Sequence, residues 1–485
     1  MHIQGEIRRG TIAIFISKYS NILIGLGINS VLARLLSPGE YGILGIVTVF
    51  ISFFYILSDI GIGVAIIQDQ SLTQKDTSDI FKISIFLSLV LAISFAFLSS
   101  AIAWYYESDV YVPIGQLLAI SVFFNSLTVV PKSLLSKSRS FRLIGTIEVI
   151  VAVLTGACAI FLASRGWSYY SIVWRSILSS AIIFFLHVYF SKLTLYKGFS
   201  FSGFRKIARY SFFQFAFNFI NYFSRNLDNI LIGKYMGNQS LGIYNQSYQL
   251  MMYPVSNLTH VITPVLHPVL AKFKDQPKVI FEEYLKVVNV LATLGVPVSI
   301  LIFFASDEII YILLGSKWSS VAPILQIFSA TIWLQMITSS AGAIFQAVGR
   351  TDTLFKLGLF SAVTIVLSIF TGVIYFSSLT ATAISLSIAF AINFLVVFYI
   401  LISALLKESF VRFLQGILSQ FPLGIVLILL MIGIEEYILP NIPGQSNILS
   451  LAVKVVIAGV VFAMFHFKQL SAILKRFTKT NLSQN

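Results

Sequence analysis

Residues 29–43 read NSVLARLLSPGEYGI, and residues 229–243 read NILIGKYMGNQSLGI. The two stretches align without a gap at an offset of 200, with Asn29 on Asn229, Gly42 on Gly242, Ile43 on Ile243, and Arg34 on Lys234. Each follows a polar-striped helical segment and leads into the next one, so the chain repeats a helix–turn–helix unit. If six helices separate the copies, the chain returns to the same side before repeating, and the copies are parallel about an axis along a membrane normal.

Composition supports the membrane. Of 485 residues, 57% are hydrophobic and only 11% charged, too few charges to wet the surface of a soluble domain. A span needs roughly 20 apolar residues to cross a core of about 30 Å. Fourteen segments qualify, near 10–36, 41–67, 79–104, 111–135, 142–163, 167–190, 206–235, 240–270, 280–304, 319–346, 352–376, 379–403, 410–438 and 446–468. We therefore expect an all-α polytopic membrane protein of about 14 transmembrane helices: two six-helix lobes, residues 1–197 and 198–405, related by a parallel pseudo-two-fold, plus two further helices and a tail at 406–485. With the N-terminus in the cytoplasm, 23 of the 33 Lys and Arg fall in inside loops and tails and only Arg34, Arg165, Lys234 and Lys317 outside. That satisfies the positive-inside rule and predicts both termini cytoplasmic. The net charge of +14 has its cause there, and no nucleic-acid partner is expected. Cys158 stands in an apolar run as a packing residue, and the segment after the basic N-terminus is too long and too interrupted for a cleaved signal.

Polar residues three or four apart in a span face a bundle interior or a wet cavity. In the seventh segment Gln214, Asn218, Asn221, Arg225 and Asp228 share one face. The first segment carries Lys18, Asn21, Gly25 and Asn29, three of them in register with Asn218, Asn221 and Asn229 at the repeat offset. The second offers Thr48, Ser52, Tyr55 and Asp59, and the eighth Asn245, Gln249, Ser256, His260, Thr263 and His267. Four helices are thus expected to line one polar chamber, although the amides also fit as interhelical glue. Arg225 and Asp228, three apart, also fit as an intrahelical pair. Lys18 has no acid in its own span. Glu148 and Arg175 are expected to pair with each other, His187 to be a packing histidine, and Glu435 and Glu436 to lie in an outside loop. No phosphate-cradling loop, metal-ligand spacing or nucleophile motif is present, so neither catalysis nor a cofactor is expected.

The stretches NSVLARLLSPGEYGILGIVTVFISFFYILSDIGIGVAIIQ (29–68), LLSKSRSFRLIGTIEVI (134–150), SRNLDNILIGKYMGNQSLGIYNQSYQLMMYPVSNL (224–258) and PVLHPVLAKF (264–273) resemble the polysaccharide transporter family, the Wzx-like flippases of the multidrug/oligosaccharidyl-lipid/polysaccharide exporter superfamily. The resemblance looks closest to the branch of lipopolysaccharide and exopolysaccharide biosynthesis proteins. It implies twelve core helices in two lobes, commonly extended to fourteen, in a bacterial inner membrane. It also implies alternating-access transfer of undecaprenyl-diphosphate-linked repeat units, such as O-antigen or exopolysaccharide units, to the periplasmic leaflet. On that reading Lys18 and Arg225 meet the diphosphate, and Gln214, Asn21, Asn218, Asn221 and His260 the sugars. Asp59 and Asp228 would carry a coupling H+ or Na+, or form charge pairs, and Arg34 and Lys234 would belong to an outward gate. The expected partners are the lipid-linked oligosaccharide, bilayer lipid, and a polysaccharide polymerase with its chain-length machinery; the protein itself is expected to act as a monomer. A multidrug exporter of the same superfamily is the nearest alternative, and Lys18 and Arg225 argue against a cavity for cationic drugs. A membrane-embedded polymerase or ligase is a more distant alternative, because no large outer loop is present.

Overall fold

A computed structural model describes residues 2–59, 62–69, 71–198, 202–441 and 446–466. Within these, side chains are described except at 2–15, 59, 64, 202–221, 223–225, 260–265 and 267–268. Among the described residues there is no strand. The chain divides into two compact units, Met1–Gly242 and Ile243–Asn485.

The first unit holds α1 (His2–Leu35), α2 (Pro38–Asp59), α3 (Ile62–Gln68), α4 (Gln74–Tyr106), α5 (Tyr111–Lys137), α6 (Phe141–Ser164), α7 (Tyr170–Ser191) and the first arm of α8 (Ser202–Leu270). The segment expected at 41–67 is helical as α2 and α3 on either side of residues 60–61, which lie outside the described residues. Thr73 starts α4 with a reciprocal cap: its Oγ1 accepts from the Asp76 amide at 3.1 Å while its own amide donates to Asp76 Oδ2 at 3.1 Å, which satisfies two otherwise orphaned donors. Along α4 the usual pattern is inverted. Ser88 and Ser99 are buried while Phe86 and Phe97 are 70% and 76% exposed, as expected where the surrounding solvent is hydrocarbon and small residues sit at helix contacts. The same rule seats α1 on α6: Ile28 and Leu32 pack on Ala159 and Ala163, and a Cβ at Gly156 would collide with the Ile28 side chain. Under α3, Ile62, Ile66, Ile80, Phe81, Leu127 and Val130 form a core with α4 and α5.

The second unit continues with the second arm of α8, then α9 (Pro277–Phe304), α10 (Ser306–Leu313), α11 (Val321–Ser329), α12 (Ile332–Ala347), α13 (Thr351–Phe370), α14 (Leu379–Tyr399), α15 (Phe410–Leu418), α16 (Phe421–Gly433) and α17 (Asn447–Phe465). Here Leu423, Leu427, Met431 and Ala458 make the core of the last two long helices. α11 and α12 are bent by 55° where they join. Among the described residues ten helices are long and apolar enough to cross a membrane, eleven if α11–α12 counts as one span. The segments expected at 10–36, 206–235 and 240–270 are helical as well, as α1 and the two arms of α8. The protein is an all-α, multi-pass membrane protein.

Candidate functional site

α8 is one run of helix broken at Gly237, whose φ of 81° and ψ of 173° divide it into two arms. Around this break the two repeated stretches meet. A Cβ placed on Gly42 would fall inside the van der Waals shell of the Asn238 carbonyl, and one placed on Gly242 inside that of the Pro38 carbonyl. Pro38 and Asn238 are themselves 200 residues apart, so the contact is reciprocal: each copy's glycine rests on the other copy's backbone. This is the self-complementary pattern of a two-fold interface, and it fits the repeat expected from 29–43 and 229–243.

Further bonds close the same region. Tyr111 Oη donates to Asn238 Oδ1 at 2.7 Å, and Tyr106 Oη donates to the Ile230 carbonyl at 3.2 Å. Lys234 Nζ reaches Glu107 Oε1 at 2.7 Å and the Tyr105 carbonyl at 2.5 Å, with the Tyr105 ring 5.2 Å away. The ammonium beside Glu107 holds that carboxyl below its ordinary range, chiefly through the hydrogen bond. Lower along the first arm of α8, Tyr222 Oη donates to the Val49 carbonyl on α2.

Of the residues singled out in the sequence, Lys18 is exposed at the middle of α1 and has neither hydrogen bond nor ion pair among the described residues. Asn21 is half-buried one turn later, and Arg34 is exposed near the end of α1. Asp228 is buried, and its Oδ1 accepts from the Asn229 amide at 2.8 Å. Next to it Asn229 Oδ1 is buried without a partner among the described residues. The side chains of Asp59, Gln214, Asn218, Asn221, Arg225 and His260 lie outside the described residues, and with them the expected pairing of Arg225 and Asp228.

Two expectations are corrected. Glu148 pairs with Lys132, whose Nζ donates to Oε1 at 2.8 Å, and not with Arg175; Lys132 lies sixteen residues before Glu148 on the antiparallel neighbour α5, a proximity that spacing along one helix does not reveal. Tyr55, expected to line a chamber with α1 and α8, instead exchanges a hydrogen bond with Ser121 of α5 at 2.9 Å. His187 is fully buried, with Nδ1 2.8 Å from the Ile183 carbonyl.

The sequence reading also missed a charged cluster in the second unit. Lys454, 97% buried on α17, donates to Glu308 Oε1 at 2.7 Å, Glu435 Oε1 at 2.9 Å and the Phe304 carbonyl at 2.5 Å. A lysine inside the apolar α17 was the available signal, since a bilayer-depth ammonium requires acceptors. Glu435, assigned to a loop in the sequence, belongs to the helical π-turn Ile434–Ile438 that extends α16.

A model of the family described as "Polysaccharide biosynthesis protein" matches residues 31–323. The chain belongs to the polysaccharide biosynthesis protein family. Relatives of the chain include the teichuronic acid biosynthesis protein TuaB of Bacillus subtilis (strain 168), 27% identical over 79% of each chain. The lipopolysaccharide biosynthesis protein WzxC of Escherichia coli (strain K12) is 25% identical over 83% of each chain. Among solved structures, the lipid II flippase MurJ in an inward closed conformation superposes with a TM-score of 0.72 at 14% identity, covering 95% of this chain and all of MurJ. An inward-facing multidrug resistance MATE family transporter of the MOP superfamily superposes at 0.60 and 16% identity, over 80% of this chain and 96% of that one. The chain thus has the MurJ- and MATE-like fold; those two neighbours are themselves a flippase and a transporter.

Proposed function

We propose that this protein is a flippase that carries undecaprenyl-diphosphate-linked oligosaccharide repeat units from the cytoplasmic to the periplasmic leaflet of a bacterial inner membrane by alternating access. The observation that carries the reading is Lys18, an exposed ammonium halfway along α1 with no counter-charge among the described residues. A lone cation at bilayer depth is stable only against water or an anion, and a diphosphate is the anion that a flippase must desolvate.

Arg225 would complete the cationic seat, with Asn21, Gln214, Asn218, Asn221 and His260 on the sugars. Two lobes, residues 1–197 and 198–405, would move about the seat, with 406–485 appended. Both termini would lie in the cytoplasm; the Gly42/Gly242 contact and the Lys234–Glu107 bond would then be on the periplasmic side, and Arg34 and Lys234 would belong to an outward gate. Asp59 or Asp228 would couple transport to H+ or Na+, with no cofactor. The chain would act as a monomer and hand its product to a polymerase and its chain-length machinery. The likeness to WzxC and TuaB, proteins of lipopolysaccharide and teichuronic acid biosynthesis, and to the lipid II flippase MurJ supports a lipid-linked glycan over a drug.

Reconstituted vesicles test this. Labelled undecaprenyl-diphosphate oligosaccharide should appear in the opposite leaflet with the wild type. Losing one charge-assisted contact costs about 1.5–3 kcal/mol, so Lys18→Ala and Arg225→Ala should each slow transfer roughly tenfold or more at equal abundance, with partial rescue by Lys18→Arg. Equal flipping by all variants removes the cationic seat. Export of organic cations without lipid transfer makes the protein a drug exporter instead.

A further inference from the structure

A cavity of about 470 Å³ with polar and apolar walls lies wholly inside the first unit, between α2, α5, α6 and α7. Two helical stripes make its walls: Ser121, Asn125, Thr128 and Lys132 at spacings of three and four on α5, and Arg175, Ser176, Ser179 and Ser180 on α7. Such stripes put side chains on one face. The wall is braced by a chain of hydroxyls, Tyr55 Oη to Ser121 Oγ at 2.9 Å and Ser121 Oγ to Ser176 Oγ at 3.0 Å.

The charges in the wall do not balance. Its one acid, Glu148, is engaged by Lys132. Arg175, half-buried in a helix of spanning length and apolarity, makes no hydrogen bond and no ion pair among the described residues. A guanidinium keeps its charge in any protein and offers five donors in a fork that matches a carboxylate or phosphate. With only the neutral Tyr41 hydroxyl beside it, a guanidinium within a span is costly. The remaining lining is hydroxyl and amide groups beside three aliphatic side chains, Val129, Ile172 and Ile183, a mixture suited to the hydroxyls and ring faces of a sugar, and the volume falls in the roughly 300–1,000 Å³ range of small-ligand sites.

We propose that this cavity is a binding site for an acidic sugar, with Arg175 forking its carboxylate and the serine, threonine and Asn125 side chains of α5 and α7 engaging its hydroxyls. Lys18 is not among the residues that line it, and binding there does not require lipid transfer.

The test uses the full-length chain purified in an uncharged detergent, with thermal unfolding followed against glucuronate, glucose and inorganic phosphate. Glucuronate should raise the Tm saturably and glucose should not. Arg175→Gln should weaken the response at least tenfold, while Lys18→Ala, altered at the other cation, should keep it. Because Arg175 makes no hydrogen bond or ion pair among the described residues and interacts only electrostatically with Tyr41, Arg175→Gln without ligand should unfold close to the wild-type temperature. The proposal is overturned if glucuronate has no effect at tens of millimolar, or if its effect survives Arg175→Gln or disappears with Lys18→Ala. Phosphate acting as strongly as glucuronate removes the sugar assignment, and a marked fall in the unliganded Tm of Arg175→Gln means that the arginine serves the fold instead.

Discussion

Single residues in this protein are costly to change for different physical reasons. At Gly42 the obstacle is space: a methyl group meets the Asn238 backbone, which has no side-chain freedom to yield. Gly42→Ala should therefore cost about 1–3 kcal/mol, as overpacking does. Gly39→Ala, with nothing within 4 Å of the new Cβ, should be close to neutral in the same thermal unfolding series. Lys454 tests charge. Removing it leaves Glu308 buried without its cation, and breaking a buried pair from one side costs about 3–5 kcal/mol. Lys454→Met should show that loss, and the double variant Lys454→Met/Glu308→Gln should recover part of it; an additive double variant would mean that the pair does not interact. The lysine was visible in the sequence as an oddity in an apolar helix. Its partners were not, because Glu308 and Glu435 stand 146 and 19 residues away and only the packing of α10, α16 and α17 brings them to it.

Elements are joined by a few bonds at their ends, and one of these responds to acid. Glu107 is the left-handed C-cap of α4, with φ of 55°, and its bond to Lys234 ties α4 to the first arm of α8. Its folded pKa is depressed, so the pair contributes above the carboxyl's unfolded pKa and is lost as pH falls through the lower, folded value. Hydrogen exchange at the end of α4 should accelerate on acidification below about pH 4, the ordinary glutamate range. Glu107→Gln should be fast at neutral pH and indifferent to acid. At Gly237 the cost is conformational, since a Cβ there meets no atom within 4 Å yet φ is 81° and ψ 173°, a region essentially reserved for glycine; Gly237→Ala should cost about 1–3 kcal/mol and loosen the junction of the two arms. Helix positions were largely legible from apolar run length. The pairing of Glu148 was not, because Lys132 and Arg175 approach it from two different helices and hydropathy carries no information about which is nearer.

For the whole molecule, the sequence argues topology through 23 basic residues against 4, a statistical signal that gains force because it sums over the chain. It can be checked directly. With Cys158→Ser as background, a cysteine at Ser108 should react with a membrane-impermeant maleimide on intact cells, and one at Ser138 only after permeabilisation; the reverse pattern inverts the protein. The repeat at an offset of 200 was likewise readable, although only three identities carried it, and the structure adds what spacing could not: the two copies touch through their own equivalent glycines. The cavity beside Arg175 went unread because much of its polar lining is serine, which in a span passes for helix contact until residues of four helices are seen around one space.

That glycine contact has a consequence for how the gene tolerates change. Because Gly42 and Gly242 each abut a carbonyl oxygen, and every amino acid has the same one, no replacement of Asn238 or Pro38 can make room for a larger residue opposite. A library saturating all four codons and selected for stable, membrane-inserted protein should return glycine almost alone at 42 and 242, without second-site suppressors across the contact, while position 39, one turn away, drifts freely.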